Sequence, residues 1–529
     1  MFMNRFFALA TLLMITACTT PKSGTWFDEY GTEPTGTPAQ MQYGVPDATN
    51  VAGDGLRNVA VLLPLTGQNG AAGQTIRASI ETAALQRAPE NMAITFYDTA
   101  TNAVNTISHA LATNPEIVIG PVFAGDARLV RDMKAENLPV LSFTSDATAV
   151  GRGVMTMALM PTNSVEAIVQ EMSSDGVKNF IILAPDTVSG KLMAGTAKSA
   201  ADIYNVPLGG LFYYAEKDSE SIKNATQAAT MNTARTAANT RAREILSDIL
   251  TKETLTAIEK SSLSIQLDKI SKSDTLGAIP YDAVLFLGSG DDTETLASFL
   301  RYYGVPARGV RFYGTAMWDG SDIVSDLTMS GAKYAALPPI SPEFINLYEQ
   351  VSGTTPSRLA TFGYDATSMA IGMVYSDKSN AAYLLDPSGY VGIDGLFRMR
   401  PTGDSERALR IVELNGSGTV REVKPAPTNF MTPVYNIQQR HISPAREMEL
   451  ETRGINPMNY INIPERFRGK YTSKTYGANM TAPAQTTHRT DAITILPEDD
   501  SDVIISPDFQ PVSLESVNRT YIDSVEITE

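Results

Sequence analysis

Asn58-Val59-Ala60-Val61-Leu62-Leu63-Pro64-Leu65-Thr66-Gly67 contains an unbroken apolar run, Val59 to Leu65, that stops in the turn Thr66-Gly67-Gln68-Asn69-Gly70. An apolar side chain at every position, instead of every second one, predicts a strand buried on both faces, as in a parallel sheet covered by helices. Working outward, a helical stretch follows from about 71 to 87, and Ala93 to Thr99 reads as a second strand. A helix closes at His109 to Thr113, and Ile117 to Val122 and Pro139 to Phe143 are further strands. A second series begins at Phe180 to Ala184 and continues through Leu211 to Tyr214, Ala283 to Gly288 and Arg311 to Gly314. Strands alternating with helices predict right-handed crossovers and two open α/β units. A chain of 529 residues is also longer than one core accommodates.

The flanks differ from this body. Residues 217 to 274 exceed a crossover helix and carry Ile245, Ile249 and Leu250 on one helical face, which predicts a helical insertion in the second unit, either projecting as a contact surface or packed as a helix pair on its own lobe. At the N-terminus, one charge at Arg5, an apolar run from Phe6 to Ile15 and the small pair Thr16-Ala17 have the layout of a secretory signal, residues 1 to 17, too short for a permanent span. Ile15-Thr16-Ala17-Cys18 is similar to the lipobox of bacterial lipoproteins, which implies a lipid on Cys18, the only cysteine, and a mature chain beginning there. Each buried methylene adds roughly 0.8 kcal/mol of membrane affinity, so two or three acyl chains hold a protein stably. Thr19 and Thr20, with no aspartate beside Cys18, imply by analogy an outer-membrane anchor facing the periplasm. Residues 18 to 57, rich in Pro, Gly, Thr and Ala, read as a lipidated flexible tether of about 35 Å typical span. Residues 426 to 529 read as a mostly disordered acidic tail with short apolar pieces such as Val503-Ile504-Ile505.

The formal charge is −16, and loss of Arg5 with the signal makes it −17, a field that argues against nucleic acid and acidic lipid as partners. One cysteine, committed to lipid, leaves none for a disulfide or a thiolate metal site. His109, His441 and His488 are scattered, so no histidine-centred acid/base or metal cluster is expected. Gly67, Gly70 and Gly73 follow a strand without the lysine-serine pair of a phosphate-binding loop, and are read as letting the helix pack close. The expectation is a protein without catalytic residues, metal or cofactor, not an enzyme.

Asn58 to Gly67 with Gly70 and Gly73, then Ile119-Gly120-Pro121-Val122 and Pro139-Val140-Leu141-Ser142-Phe143, resemble the first lobe of type I periplasmic binding proteins. Ala360-Thr361-Phe362-Gly363-Tyr364-Asp365-Ala366 resembles their late helix, and Gly392-Ile393-Asp394-Gly395-Leu396-Phe397 with Gly403 their closing strands. The resemblance covers about residues 57 to 425. It implies two lobes joined by three crossings, with 58–163 and 338–400 in lobe 1 and 164–337 and 401–425 in lobe 2. Hinge positions are implied near Pro161, Pro338 and Pro401, and a cleft at the carboxyl ends of the strands. Within this fold, a lipid-anchored body with these motifs is most similar to the penicillin-binding protein activators, the LpoA-like lipoproteins.

That resemblance implies a non-enzymatic outer-membrane lipoprotein that binds a class A penicillin-binding protein and raises its peptidoglycan synthesis. The better-known activators carry a helical-repeat domain before this fold, which residues 19 to 57 are too short to supply, so the acidic tail is considered as a replacement contact. The alternative is a lipid-anchored receptor for a branched-chain type amino-acid transporter, with a small amino-acid-like ligand in the cleft. Such receptors place hydroxyls after the Ile-Gly strand, where this chain has Phe123-Ala124-Gly125, and the next loop offers Thr144-Ser145-Asp146, whose acid repels a carboxylate but receives an amine. Cleft candidates are therefore Thr66, Gly67, Phe123, Ala124, Thr144, Ser145 and Asp146 from lobe 1, and Asp186, Ser289 and Trp318 from lobe 2, with core packing the better reading of Trp318.

Overall fold

Val59 to Leu63 are each at most 2% exposed, because their strand lies inside a sheet covered on both faces. The structure, a computed structural model, describes residues 38–40, 55–430 and 455–472. They fall into a body, residues 1–469, and a separate unit, residues 470–529, of which only 470–472, a helix end, are described.

The chain enters with β1 (Ala39–Gln40) and then builds β2 (Arg57–Leu63), α1 (Gly70–Arg87), β3 (Met92–Asp98), α2 (Ala103–Ala112), β4 (Ile117–Ile119), α3 (Ala124–Met133), β5 (Val140–Ser142) and β6 (Val154–Thr156). Strands β2 to β6 form one parallel sheet in the order β3-β2-β4-β5-β6. Helix α1 lies hard on the end of β2: a Cβ at Gly73 would stand 2.1 Å from the Pro64 carbonyl oxygen, so that close approach requires glycine.

The second lobe follows with α4 (Pro161–Ser174), β7 (Phe180–Pro185), α5 (Val188–Ile203), β8 (Leu208–Tyr214), α6 (Ser219–Ala229), α7 (Asn232–Lys252), α8 (Ala257–Ser271), β9 (Ala283–Phe286), α9 (Gly290–Tyr302), β10 (Arg311–Gly314) and β11 (Lys333–Ala336). The chain then returns through α10 (Pro342–Ser352), α11 (Arg358–Val374), α12 (Asn380–Leu384), β12 (Tyr390–Gly392), β13 (Gly395–Met399) and β14 (Ser405–Arg407) before β15 (Arg410–Leu414), β16 (Val420–Lys424) and α13 (Glu465–Thr472). The second sheet has the order β16-β15-β11-β10-β9-β7-β8, parallel from β8 to β11 and antiparallel where β15 and β16 are added. Helix α11 is almost wholly buried and packs along α1, which ties residues 358–374 to the first lobe.

Three expectations change here. The third crossing, placed near Pro401, comes after Arg407: Pro401-Thr402-Gly403 is a hairpin turn, with Gly403 at φ +92°, that returns the chain to pair β14 with β13. Ser405 Oγ then donates to the Ala158 carbonyl at 2.9 Å, and the Arg407 guanidinium to the Met157 carbonyl, fastening this strand to the first crossing. Ala39–Gln40, placed in the flexible tether, pair in parallel with Tyr390 and Val391 on β12. An open strand edge offers unpaired N–H and C=O groups, so a short segment docks there without a side-chain pattern of its own.

The third change concerns residues 455–469, placed in the disordered tail. Gln266 of α8 exchanges two hydrogen bonds with the Asn462 backbone, at 2.9 and 2.7 Å, and Arg466 binds both oxygens of Glu259 at 2.6 and 2.8 Å. Ile461, Ile463 and Phe467 are buried. The 217–274 section is the helices α6 to α8. Arg235 of α7 donates to the Tyr303 and Gly277 carbonyls at 3.0 and 3.2 Å, so the insertion is fastened to its own lobe.

Candidate functional site

In open α/β sheets, strand ends and the loops after them carry ligands. At the end of β2, Thr66 and Gly67 are exposed, and Thr66 Oγ1 donates to Asp98 Oδ2 at 2.6 Å. Asp98 Oδ1 accepts from the Leu65 and Ala100 amides at 2.9 and 3.0 Å. Burial would raise its carboxyl, but these hydrogen bonds outweigh it and hold the group below its ordinary range. Phe123 is 37% exposed where the chain turns into α3, whose first residue is Ala124.

The loop after β5 departs from a receptor clamp. Thr144 is buried, with its Oγ1 accepting from the Asp146 amide at 3.1 Å, and Ser145 is half-buried. Asp146 Oδ2 meets Arg128 Nη2 at 2.5 Å, while Oδ1 accepts from the Thr148 amide and hydroxyl at 2.8 and 2.7 Å. Burial would raise the Asp146 carboxyl, but the Thr148 hydrogen bonds and the Arg128 charge hold it low. The carboxylate that would receive a ligand amine is thus spent on the lobe's own arginine.

On the second lobe, Asp186 is exposed and pairs with Lys191 at 2.7 Å. Ser289 precedes α9, and its carbonyl accepts from Thr293 Oγ1 at 2.6 Å. Trp318 does not line a cleft: it is 0% exposed and packs on Phe286 and Tyr334, ring centres 6.1 and 5.9 Å away, so its apolar area fills the second core. The contacts among the described residues join Thr144 to Asp146 within one loop and join no first-lobe candidate to a second-lobe one. Cys18 lies outside the described residues.

A buried polar cluster was not foreseen as such. Asp394, in the turn between β12 and β13, meets Arg358 Nη1 at 2.5 Å and accepts from the Thr361 hydroxyl. Arg358 Nη2 lies 3.8 Å from Asp319 of the second lobe, so one side chain spans both lobes. Asp365 accepts from the Ile393 amide at 2.9 Å, and a Cβ at Gly392 would stand 2.2 Å from its Oδ2, which only glycine avoids. Burial, then repulsion from Asp394, pushes the Asp365 carboxyl up to about 7 against the pull of Arg407. Arg407 is itself buried, its guanidinium over Phe362 and Phe397 at 4.7 and 4.9 Å. Two motifs distant in sequence, Thr361-Phe362-Gly363-Tyr364-Asp365 and Gly392-Ile393-Asp394-Gly395, therefore close on each other at the junction of the lobes. Among the described residues no group of His, Cys, Asp and Glu is arranged to hold a metal ion, and no helix is long and apolar enough to cross a membrane.

Residues 25–197 match the family described as "LppC putative lipoprotein". The match spans the segment before β2, the first sheet and the start of the second lobe. No curated protein matches the chain. Among solved structures, a putative branched-chain amino acid ABC transporter from Rhodospirillum rubrum is similar over 70% of this chain and 100% of its own, at 17% identity and TM-score 0.52, a likeness of fold. The C-domain of LpoA (YraM) from Haemophilus influenzae, described as a regulator of PBP1A, aligns over 69% of this chain and 99% of its own, at 16% identity and TM-score 0.47. Full-length LpoA from the same organism aligns over 70% of this chain and 59% of its own, at 15% identity and TM-score 0.47. The architecture, two lobes of largely parallel sheet flanked by helices, is that of the type I periplasmic binding proteins.

Proposed function

We propose that this protein is an outer-membrane lipoprotein, anchored through Cys18 and facing the periplasm, that binds a class A penicillin-binding protein and activates its peptidoglycan synthesis without catalysing a reaction itself. The observation that carries the reading is the match of residues 25–197 to the LppC lipoproteins. The loop after β5 supports it: Asp146 is engaged by Arg128 and Thr148 and Thr144 is buried, so the acid of this loop is not free for a ligand amine.

An activator must bind the active conformation of its synthase more tightly than the inactive one, since equal affinity shifts nothing. Contact with the synthase therefore has to be specific to one of its states.

Affinity capture of the full lipidated chain from detergent-solubilised envelope tests the reading. Recovery of a class A synthase is the expected result, and mass spectrometry of the recovered bait should find a diacylated Cys18. Capture of a transport permease, together with thermal stabilisation by branched-chain amino acids, would replace the regulator with the receptor.

A further inference from the structure

Three short crossings, residues 157–160, 337–341 and 408–409, join the lobes. Two bodies so joined turn about their crossings, as in hinge motions, unless side chains hold them across the gap. Among the described residues, two arginines of the first lobe reach a carboxylate of the second. Arg358, the first residue of α11, lies through Nη2 3.8 Å from Asp319, in the loop after β10. Arg400, in the hairpin between β13 and β14, lies through Nη2 4.0 Å from Glu166 on α4.

The two contacts share one build. Each arginine is held at closer range by acids of its own lobe: Arg358 Nη1 meets Asp394 Oδ1 at 2.5 Å, and Arg400 meets Asp404 and Glu406 at 3.2 Å each. Across the gap the distances exceed those of a hydrogen bond, so only a Coulomb attraction between partly exposed groups is lost when they part. Each contact also stands beside a different crossing. Pro338 of the second crossing packs on the turn that holds Asp394, its Cγ 3.0 Å from where a Cβ at Gly395 would stand. The Arg400 hairpin is bonded to the strand that leads into the first crossing: the Thr156 amide donates to the Gly403 carbonyl at 2.8 Å.

We propose that Arg358 and Arg400 are paired latches between the lobes: each stays docked on its own lobe, holds this arrangement by reaching Asp319 or Glu166, and on release lets the lobes turn about their crossings. A side chain already ordered by its own lobe loses little further freedom on gripping the other. Parting leaves neither arginine unpaired, so the latches let go without stranding a charge. A protein that touches both lobes and binds one arrangement more tightly shifts the balance, whichever partner that is.

Double electron–electron resonance between nitroxides on Leu85→Cys of α1 and Tyr302→Cys of α9, exposed positions of the first and second lobes, tests this. The full chain carries Cys18→Ser, so that labels attach only there. Combined Asp319→Asn and Glu166→Gln leave the arginines' own-lobe pairs in place and keep an acceptor for the Tyr334 hydroxyl. This variant should shift or split the distance distribution by more than about 2 Å. High salt should move the wild-type distribution the same way and leave the variant's where it is. The control pair Glu81→Gln and Asp268→Asn, equal in charge change, removes ion pairs that stay within one lobe and should leave the distribution unchanged. An unchanged distribution in the Asp319, Glu166 variant, or an equal shift in the control, would overturn the proposal. So would a salt response as large in the variant as in the wild type.

Discussion

Asp365 sits inside the first lobe beside a second carboxylate, Asp394, with Arg407 and Arg87 as the opposing charges, and burial more than any neighbour pushes its carboxyl up to about 7. Its ordinary value is 3.8, so between about pH 4 and 7 the folded chain keeps a proton that the unfolded chain has lost. The stabilisation from this group is complete below that window and is lost as pH rises through it. Asp365→Asn, of the same shape, should lack this slope: between pH 4 and 7 the wild-type melting temperature should fall relative to the variant's, and parallel curves would remove the assignment. The two motifs that meet here are visible in the sequence, but their meeting is not, because spacing along a chain says nothing of which turn closes on which helix. Asp146 was legible as a loop acid. Its partner Arg128, eighteen residues earlier on a helix, was not.

At the scale of elements, magnitudes decide what holds residues 455–469 to α8. The Arg466–Glu259 pair lies in solvent, where an ion pair is screened and contributes little. Truncating a buried phenylalanine such as Phe467 costs about 3–5 kcal/mol. Phe467→Ala should therefore expose a new protease site between 455 and 469, while Arg466→Ala leaves the digestion pattern unchanged. Loss of the segment in Arg466→Ala alone would show that the ion pair is the fastening. This segment was hidden in the sequence because three apolar residues, Ile461, Ile463 and Phe467, make no periodic pattern and are buried only once the segment is laid on its lobe. The two-faced strands β7 and β9, and β2 from Val59 on, were legible because their positions are apolar without a break. Strand β8 begins at Leu208, earlier than its apolar run, since Gly209 and Gly210 carry no signal. Strands β6, β11, β15 and β16 are short or take their place from neighbours already laid down, so no local pattern marks them.

For the whole molecule, polar side chains tie the lobes and their crossings together. Arg358 joins the lobes through Asp394 and Asp319, β14 fastens the third crossing to the first, and Arg128 seals the acid of the first lobe's loop. Two α/β units were readable from the alternation of strands and helices along the chain. The most direct test of the account is the glycan polymerisation rate of a purified class A penicillin-binding protein from the same envelope, measured with and without the full lipidated chain in detergent. A saturable rise in rate at stoichiometric addition is the predicted result; a rate that stays flat while the two proteins are mixed at micromolar concentration would contradict it.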